Sequence, residues 1–356
     1  LIIYMKAFDN KKYLFLAGGS RSGSALTGVI LNAHSQISFS TDVVKYCGFA
    51  INRFPKVNKS NLNHLIEEFK LRLDIRFDIK FDAKMCLELI NGDFSHESIY
   101  RAFMKSIYKM DHKSIILGEC ENMSWDYIPF FIKKIPNSRT LSIIRDPRDV
   151  IYSFKKNTIA KGNNYLINVF NTKALMQASL KYKSKYKDDF YVIKFEDLKL
   201  NTEKEVRNIC NYINIDFEKN MLDEKYWKVL RGEGWKEWEN KNISSFSDSE
   251  KIHNPVRRWK GKIDTIDHFI TEWILKKEMI KFGYELEFNQ FNNDVFKEAI
   301  QRLTSSNILI KAFADFLLEN IGSTELPMDR YNPNFWDMRY VIKKDKIKKL
   351  ARLMGY

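Results

Sequence analysis

Residues 14–31 read LFLAGGSRSGSALTGVIL. An apolar run ends at Gly18 and Gly19, a basic, hydroxyl-rich turn follows, and apolar residues then return at helical spacing as Leu26, Val29, Ile30 and Ala33. A strand that breaks at glycines and continues as a helix aims backbone N–H groups at one point, at the positive end of the helix dipole. That geometry holds a phosphate-like anion. A triphosphate loop requires G-x-x-x-x-G-K-[ST]. Gly18 and Gly23 have the spacing, but Ser24 and Ala25 stand where the lysine and the metal-binding hydroxyl belong. Arg21 is the cation inside the loop. The expectation is an anion gripped by Arg21 and the amides of Ser22 to Leu26 without Mg²⁺. A glycine-rich turn with no ligand is the competing reading of this stretch taken alone.

Strand-like and helical patterns alternate outward from the loop. Tyr13–Ala17, Ile37–Phe39, Ile115–Gly118, Thr140–Ile144 and Phe190–Lys194 read as strands. Ala25–Ala33, Trp125–Lys134, a stretch from Pro147, and Glu203–Ile213 read as helices. The alternation predicts an α/β fold, a parallel sheet flanked by helices. Val43 to Lys113 is mostly helical in pattern. Past Glu287 only helices appear: Asp294–Leu303, Ile308–Asn320 and Lys343–Met354. A boundary near residue 288 would divide a main domain, 1–288, from a helical extension, 289–356, whose helices are the candidate surface for self-association.

The 356 residues are 44% hydrophobic, enough for one large core with an appendage. The net charge of +14 is spread along the chain, densest in KKDKIKK at Lys343–Lys349. It is compatible with an anionic ligand and equally with a solvated basic surface. Cys47, Cys86, Cys120 and Cys210 are far apart and lack metal-ligand spacing, so they read as reduced core thiols. No apolar run approaches the ~20 residues of a membrane span. The opening LIIYMKAFDNKKY lacks the make-up of a signal peptide, and Met5 is a candidate start. A cytoplasmic protein with no nucleic-acid or membrane partner is expected.

A second motif, LSIIRDPRDVIYSF, occupies residues 141–154. A buried strand ends at Arg145. Asp146 is placed as an N-cap and Pro147 as the first helical residue. Ligands of open α/β sheets bind at the carboxyl ends of strands, so Arg145 and Ser153 are candidates for a second anion. A surface arginine beside an ordinary helix cap is the alternative.

The R-S-G-[ST] loop followed by R-D-P-R-D-V-x-x-S resembles the sulfotransferases that use 3′-phosphoadenosine 5′-phosphosulfate (PAPS). Phe195-Glu196-Asp197-Leu198, Ile209-Cys210-Asn211-Tyr212-Ile213 and Asn254-Pro255-Val256-Arg257-Arg258-Trp259-Lys260 resemble further stretches of that family. The likeness runs in scattered motifs from Tyr13 to Tyr284 and is nearest to the branch containing tyrosylprotein sulfotransferases. It implies a P-loop-NTPase-like sulfotransferase fold, PAPS as donor, 3′-phosphoadenosine 5′-phosphate (PAP) as product, and no metal. It implies that Arg21, Ser22, Gly23, Ser24, Ala25 and Leu26 hold the 5′-phosphosulfate, and that Arg145, Ser153 and Arg258 hold the rest of the donor. Asp42 falls where that branch carries a glutamate base. Its competing role is to cap a helix starting near Val43. His34 reads as a helix-end residue.

The chain departs from the family at Cys120, where relatives carry a lysine; Lys251, Lys260 or Lys262 could substitute. If Glu119 and Glu121 face the cavity, a cationic acceptor such as a guanidinium or amine follows; exposure at the surface explains them equally well. Trp235 and Trp238 either line an acceptor pocket or anchor their loop. The leading reading is sulfuryl transfer to a hydroxyl or amine of a small molecule, preferred to a protein acceptor. The alternatives are a non-catalytic nucleotide- or polyanion-binding protein and, behind it, a P-loop kinase.

Overall fold

The computed structural model describes residues 11–108, 113–157, 160–230, 233–237 and 256–320. Met5, Trp238, Lys251, Asn254, Pro255 and the expected helix Lys343–Met354 lie outside them. Five strands form one sheet: β1 (Lys12–Gly18), β2 (Ile37–Thr41), β3 (Ile116–Asn122), β4 (Ser138–Ile144) and β5 (Phe190–Lys194). Their order is β2-β3-β1-β4-β5 and every neighbouring pair is parallel. The expected α/β class, a parallel sheet flanked by helices, is therefore observed. β1 is central, with β3 on one side and β4 on the other, so the glycine loop leaves the middle of the sheet's carboxyl edge. Chain order reverses there, which is where such sheets open a ligand crevice.

The described residues gather into two compact units. Those of 11–144 and 178–237 make one; those of 145–177 and 256–320 make the other. The boundary expected near residue 288 falls inside the second unit.

In the first unit both faces of the central strand β1 are buried, which is why it reads as a continuous apolar run. Leu14 and Leu16 of β1 point to one face. They join Leu26, Val29 and Ile30 of α1 (Ser24–Asn32) and Ile209 and Ile213 of α9 (Thr202–Ile213) in one core. Tyr13 and Phe15 point to the other. Phe15 stacks on Phe131 of α5 (Ile128–Lys134) at 3.9 Å between centroids. Tyr100 of α4 (His96–Ile107) meets Phe131 edge-on at 5.1 Å. The segment between β2 and β3 is helical, as its pattern predicts: a π-helical turn (Cys47–Ile51), α2 (Leu62–Phe77), α3 (Ala83–Ile90) and α4. Phe69, Phe81 and Phe103 pack within it.

The second unit is helical. It contains α6 (Pro147–Asn157), the first half of α7 (Ile167–Lys185), α10 (Thr265–Lys281), α11 (Asn293–Leu303) and α12 (Asn307–Asn320). Trp273 of α10 packs on Phe296 of α11 and on Phe313 and Phe316 of α12. Asp267, fully buried, accepts from the Tyr165 hydroxyl at 2.7 Å, Lys155 at 2.8 Å and Arg302 at 2.9 Å. Two cations and a hydroxyl around one carboxylate compensate its desolvation.

Gly118 of β3 lies under the Phe39 ring, and a Cβ there would sit 2.3 Å from Phe39 Cδ2 and 3.0 Å from the Leu14 carbonyl oxygen. Gly118→Ala should therefore overpack the sheet and lower unfolding stability by about 1–3 kcal/mol. Urea unfolding of the two proteins side by side measures this; equal midpoints would refute it.

Candidate functional site

The loop between β1 and α1 has the shape its sequence predicts. Gly23 adopts φ +101°, and a Cβ on it would collide with the Phe195 ring at 2.3 Å, so backbone conformation and space both require glycine. Arg21 is also left-handed, at φ 65°. α1 has no acidic residue in its first turn and no side-chain cap, which leaves its first amides available to an anion. Ser22 is committed inward: its hydroxyl donates to the Gly19 carbonyl at 2.8 Å and its amide to the same oxygen at 3.3 Å. The converging amides thus narrow to those of the helix start, at Ser24, Ala25 and Leu26.

A chain of side chains links this loop to Asp42. Ser24 Oγ donates to Asn122 Oδ1 at 2.8 Å, and Asn122 Nδ2 donates to Asp42 Oδ2 at 2.6 Å. The Asn122 amide donates to Asp42 Oδ1 at 3.2 Å, and Lys45 Nζ pairs with that oxygen at 3.3 Å. The Asp42 side chain keeps 37% of its surface exposed, so the carboxylate is held but reachable. Asp42 does not cap a helix. The helical turn after Lys45 takes its cap from Glu121, whose carboxylate accepts from the amides of Cys47 at 3.0 Å and Gly48 at 2.7 Å. Asn122, Lys45 and Arg72 are the site residues that sequence reasoning missed. Asn122 lies 80 positions from Asp42, and only strand pairing brings them together.

Asp42 and Lys45 both have positive φ, 57° and 48°. A left-handed lysine is uncommon, and each such residue costs roughly 1–2 kcal/mol unless its surroundings hold it. The guanidinium of Arg72, on α2, donates to the carbonyls of Val43, Val44 (3.2 Å) and Asp42 (3.4 Å).

The acidic pair on β3 faces away from the loop. Strand alternation puts Cys120 and Asn122 on the α1 side, and Glu119 and Glu121 on the aromatic side beneath residues 45–48. Both carboxyls are fully buried. Glu121 accepts three hydrogen bonds, the third from Ser124 Oγ at 2.6 Å. Among the described residues neither oxygen of Glu119 has a hydrogen-bond partner of good geometry, although the amides of Tyr46 and Lys45 lie close enough to favour its ionised form. Burial, and then the charge of Glu121, push the Glu119 pKa well above the carboxylate range. The expectation that these acids could face a cationic acceptor is corrected: desolvation confines them to the core. Cys120 is a fully buried thiol whose pKa burial raises, as expected of a core cysteine. His34 is 3% exposed. The Gln36 amide donates to its Nδ1, so Nε2 carries the proton given to the Asp216 carbonyl. It is the helix-end residue expected. Trp235 belongs to the core and anchors its loop, its amide donating to the Trp227 carbonyl at 2.9 Å.

The second unit assembles the other predicted residues. Asp146 accepts from the Arg148 amide at 2.9 Å, the cap foreseen ahead of Pro147. Asp149 and Ser153 are four residues apart on one side of α6, and Arg145, just ahead of the helix, lies 3.7 Å from the Asp149 carboxylate. Arg145 and Ser153 are 6% and 4% exposed. Asp149 accepts from the amides of Arg257 at 2.9 Å and Trp259 at 3.0 Å, so Arg258 sits between two anchored residues. Arg148 lies 4.0 Å over the Trp259 ring. Burial raises the Asp149 pKa to about 6, with Arg145 pulling against it. Lys155 is engaged by Asp264 and Asp267, and Lys260 by Glu287 at 3.0 Å. Of the lysines named as substitutes, Lys260 is therefore already ion-paired.

Comparison with known proteins gives a family. Residues 14–219 match the model of the sulfotransferase family. No curated protein matches the sequence significantly. Among solved structures, the chain is similar to the sulfotransferase domain from the curacin biosynthetic pathway, at 18% identity and TM-score 0.48, covering 78% of this chain and 99% of that one. It is similar to the sulfotransferase domain from the Synechococcus PCC 7002 olefin synthase at 15% identity and TM-score 0.46, covering 78% and 98%. It is also similar to sulfotransferase STF1 from Mycobacterium tuberculosis H37Rv at 13% identity and TM-score 0.40, covering 62% and 73%.

The state of Glu119 has a measurable consequence. The folded protein binds this proton more tightly than the unfolded chain, so stability falls as pH rises from the ordinary 4.5 through the raised folded value. Glu119→Gln removes that contribution. Its melting temperature should decline less steeply than that of the parent between pH 5 and 8, as thermal unfolding across that range would record. Parallel profiles would show that Glu119 is ionised in the fold.

Proposed function

Because the chain belongs to the sulfotransferase family, we propose that it moves a sulfuryl group from PAPS to a hydroxyl or amine of a small-molecule acceptor. The observation that carries this reading is the hydrogen-bonded path from Ser24, on the anion loop, through Asn122 to the exposed carboxylate of Asp42. It joins a site for a leaving phosphate to a group able to take a proton.

The residues present suit the donor. Gly18 and Gly23 leave no room for side chains where a phosphate would approach the backbone. The uncapped start of α1 and Arg21 offer positive charge to the 5′-phosphosulfate. By the likeness to the family, Arg145, Ser153 and Arg258 are proposed for the rest of the donor, with Arg145 and Ser153 on the 3′-phosphate. The donor supplies an activated sulfuryl group. Asp42 accepts the acceptor's proton as the acceptor's oxygen or nitrogen bonds to sulfur. The electron pair of the breaking S–O bond goes to the 5′-phosphate, where the loop amides and Arg21 stabilise the charge. Asn122 and Lys45 keep the Asp42 carboxylate aimed.

A second reading, nucleotide binding without transfer, draws on Cys120. A buried thiol of raised pKa supplies no cation to the leaving group. Calorimetry with PAP, followed by a mass-spectrometric search of candidate acceptors for the ~80-dalton gain of SO₃, separates the two. Tight PAP binding without any product favours the second.

Arg145→Ala should weaken PAP by roughly 1.5–3 kcal/mol, the scale of a hydrogen bond to a charged group, and adenosine 5′-phosphate far less. Titration calorimetry with both nucleotides checks it, and equal losses would take Arg145 off the 3′-phosphate. Asp42→Asn should keep PAP affinity and cut turnover by about 10²–10⁴. Unchanged turnover in a steady-state assay would end its assignment as base.

A further inference from the structure

Resting on the reading of Asp42 as the base, we propose that Arg72 is a positioning residue for the reaction, holding the strained turn Asp42–Lys45 in its active shape. Nothing in the sequence marks Arg72: it lies within the helical segment between β2 and β3, 30 positions from Asp42. Its guanidinium collects the carbonyls of three successive residues, Asp42, Val43 and Val44. Those residues carry the backbone between two left-handed positions, Asp42 and Lys45. The turn has other restraints, chiefly at its ends: Val43 and Val44 are buried, and the Lys45 carbonyl accepts from the Phe49 amide at 2.8 Å. The Asp42 amide donates to the Cys120 carbonyl at 2.9 Å, and the Asp42 carboxylate is tied to Asn122 and Lys45. Without Arg72 the carbonyls of the turn lose a common donor, and the left-handed residues can relax toward ordinary backbone.

The guanidinium is itself fixed. It lies 5.6 Å from the Phe49 ring centroid and 5.3 Å from that of Phe77, so aromatic surface holds its plane. Glu119, Glu121 and Asp42 are the acidic groups near it and Arg76 the neighbouring cation. Three carbonyls at different angles call for a planar fork of donors, and the single ammonium of lysine cannot span them. The Asp42 carboxylate must meet an acceptor proton within hydrogen-bond reach. A displacement of about 1 Å is enough to cost on the order of 10²-fold in rate. Arg72 thus acts on the base through its backbone.

The test compares the full chain with Arg72→Ala and Arg72→Lys. The readouts are PAP titration, hydrogen–deuterium exchange over residues 40–48, and steady-state transfer to whichever acceptor the mass-spectrometric search identifies. Arg72→Ala should bind PAP within about twofold of the parent, exchange the turn amides on the order of tenfold faster, and lose kcat on the order of 10²-fold, with the KM for PAPS unchanged. Methylguanidinium should restore part of both the protection and kcat, which a general loss of stability would not allow. Arg72→Lys, which keeps the charge and guards against a misfolded alanine variant, should resemble Arg72→Ala in kcat. Unchanged exchange over the turn in both variants would overturn the proposal. So would a kcat equal to the parent's once the turn has loosened. A parent protein that binds PAP and transfers to no acceptor would instead defeat the reading of Asp42 as base, and the exchange data would still decide whether Arg72 holds the turn.

Discussion

The first unit turns on the side chain of Asn122, which stands at the end of β3 and bonds in two directions. One arm receives the Ser24 hydroxyl from the anion loop; the other, with its own amide, grips both oxygens of Asp42. β3 lies between β1 and β2, so the strand order itself puts the loop that follows β1 and the turn that follows β2 on either side of one asparagine. A carboxylate that must be exposed to meet a substrate would ordinarily be free to rotate. Here the sheet fixes it from behind while its front stays open. The parallel ladder thus becomes a ruler for the chemistry: a shift of register by one residue would turn Asn122 to the other face.

The second unit shows the same economy with a different carboxylate. Asp149 sits one helical turn from both Arg145 and Ser153 and spends its hydrogen bonds on the Arg257 and Trp259 amides. A helix and an irregular arm are thereby held as one piece, with Arg258 carried between the anchored residues. Arg148 closes the arrangement from below, bonded to Asp146 and Glu272 and stacked on Trp259. In both units a buried or half-buried acid organises the backbone around the cations.

Much of the fold was readable from residue pattern, and for a physical reason. β1 is buried on both faces and β4 nearly so, which makes their central residues largely apolar, and Gly18, Gly23 and Pro147 mark where the chain must change direction. The anion loop and the Asp146 cap were legible because short-range chemistry dictates them. β3 was read only as far as Gly118, whereas it runs to Asn122, because Glu-Cys-Glu-Asn has no strand signature. Those polar residues are tolerated there through contacts made by remote segments, which the local pattern does not encode. Glu119 and Glu121 belong to the small class of carboxylates found fully buried, so an exposed or cavity-lining role was the natural expectation. Asn122, Lys45 and Arg72 were missed because each acquires its role through a residue that only tertiary structure brings near.

The place of Cys120 in the core limits what can stand at that position. Its thiol is enclosed with Leu16 and Ile116 on the α1 side of the sheet, two residues before Asn122 on the same face. An ammonium introduced there would be desolvated on most sides, and the nearest negative charge, on Asp42, is already spoken for by Asn122. Positions 120 and 122 are therefore coupled through the face they share: a longer side chain at 120 would press on Asn122 and, through it, on the Asp42 carboxylate.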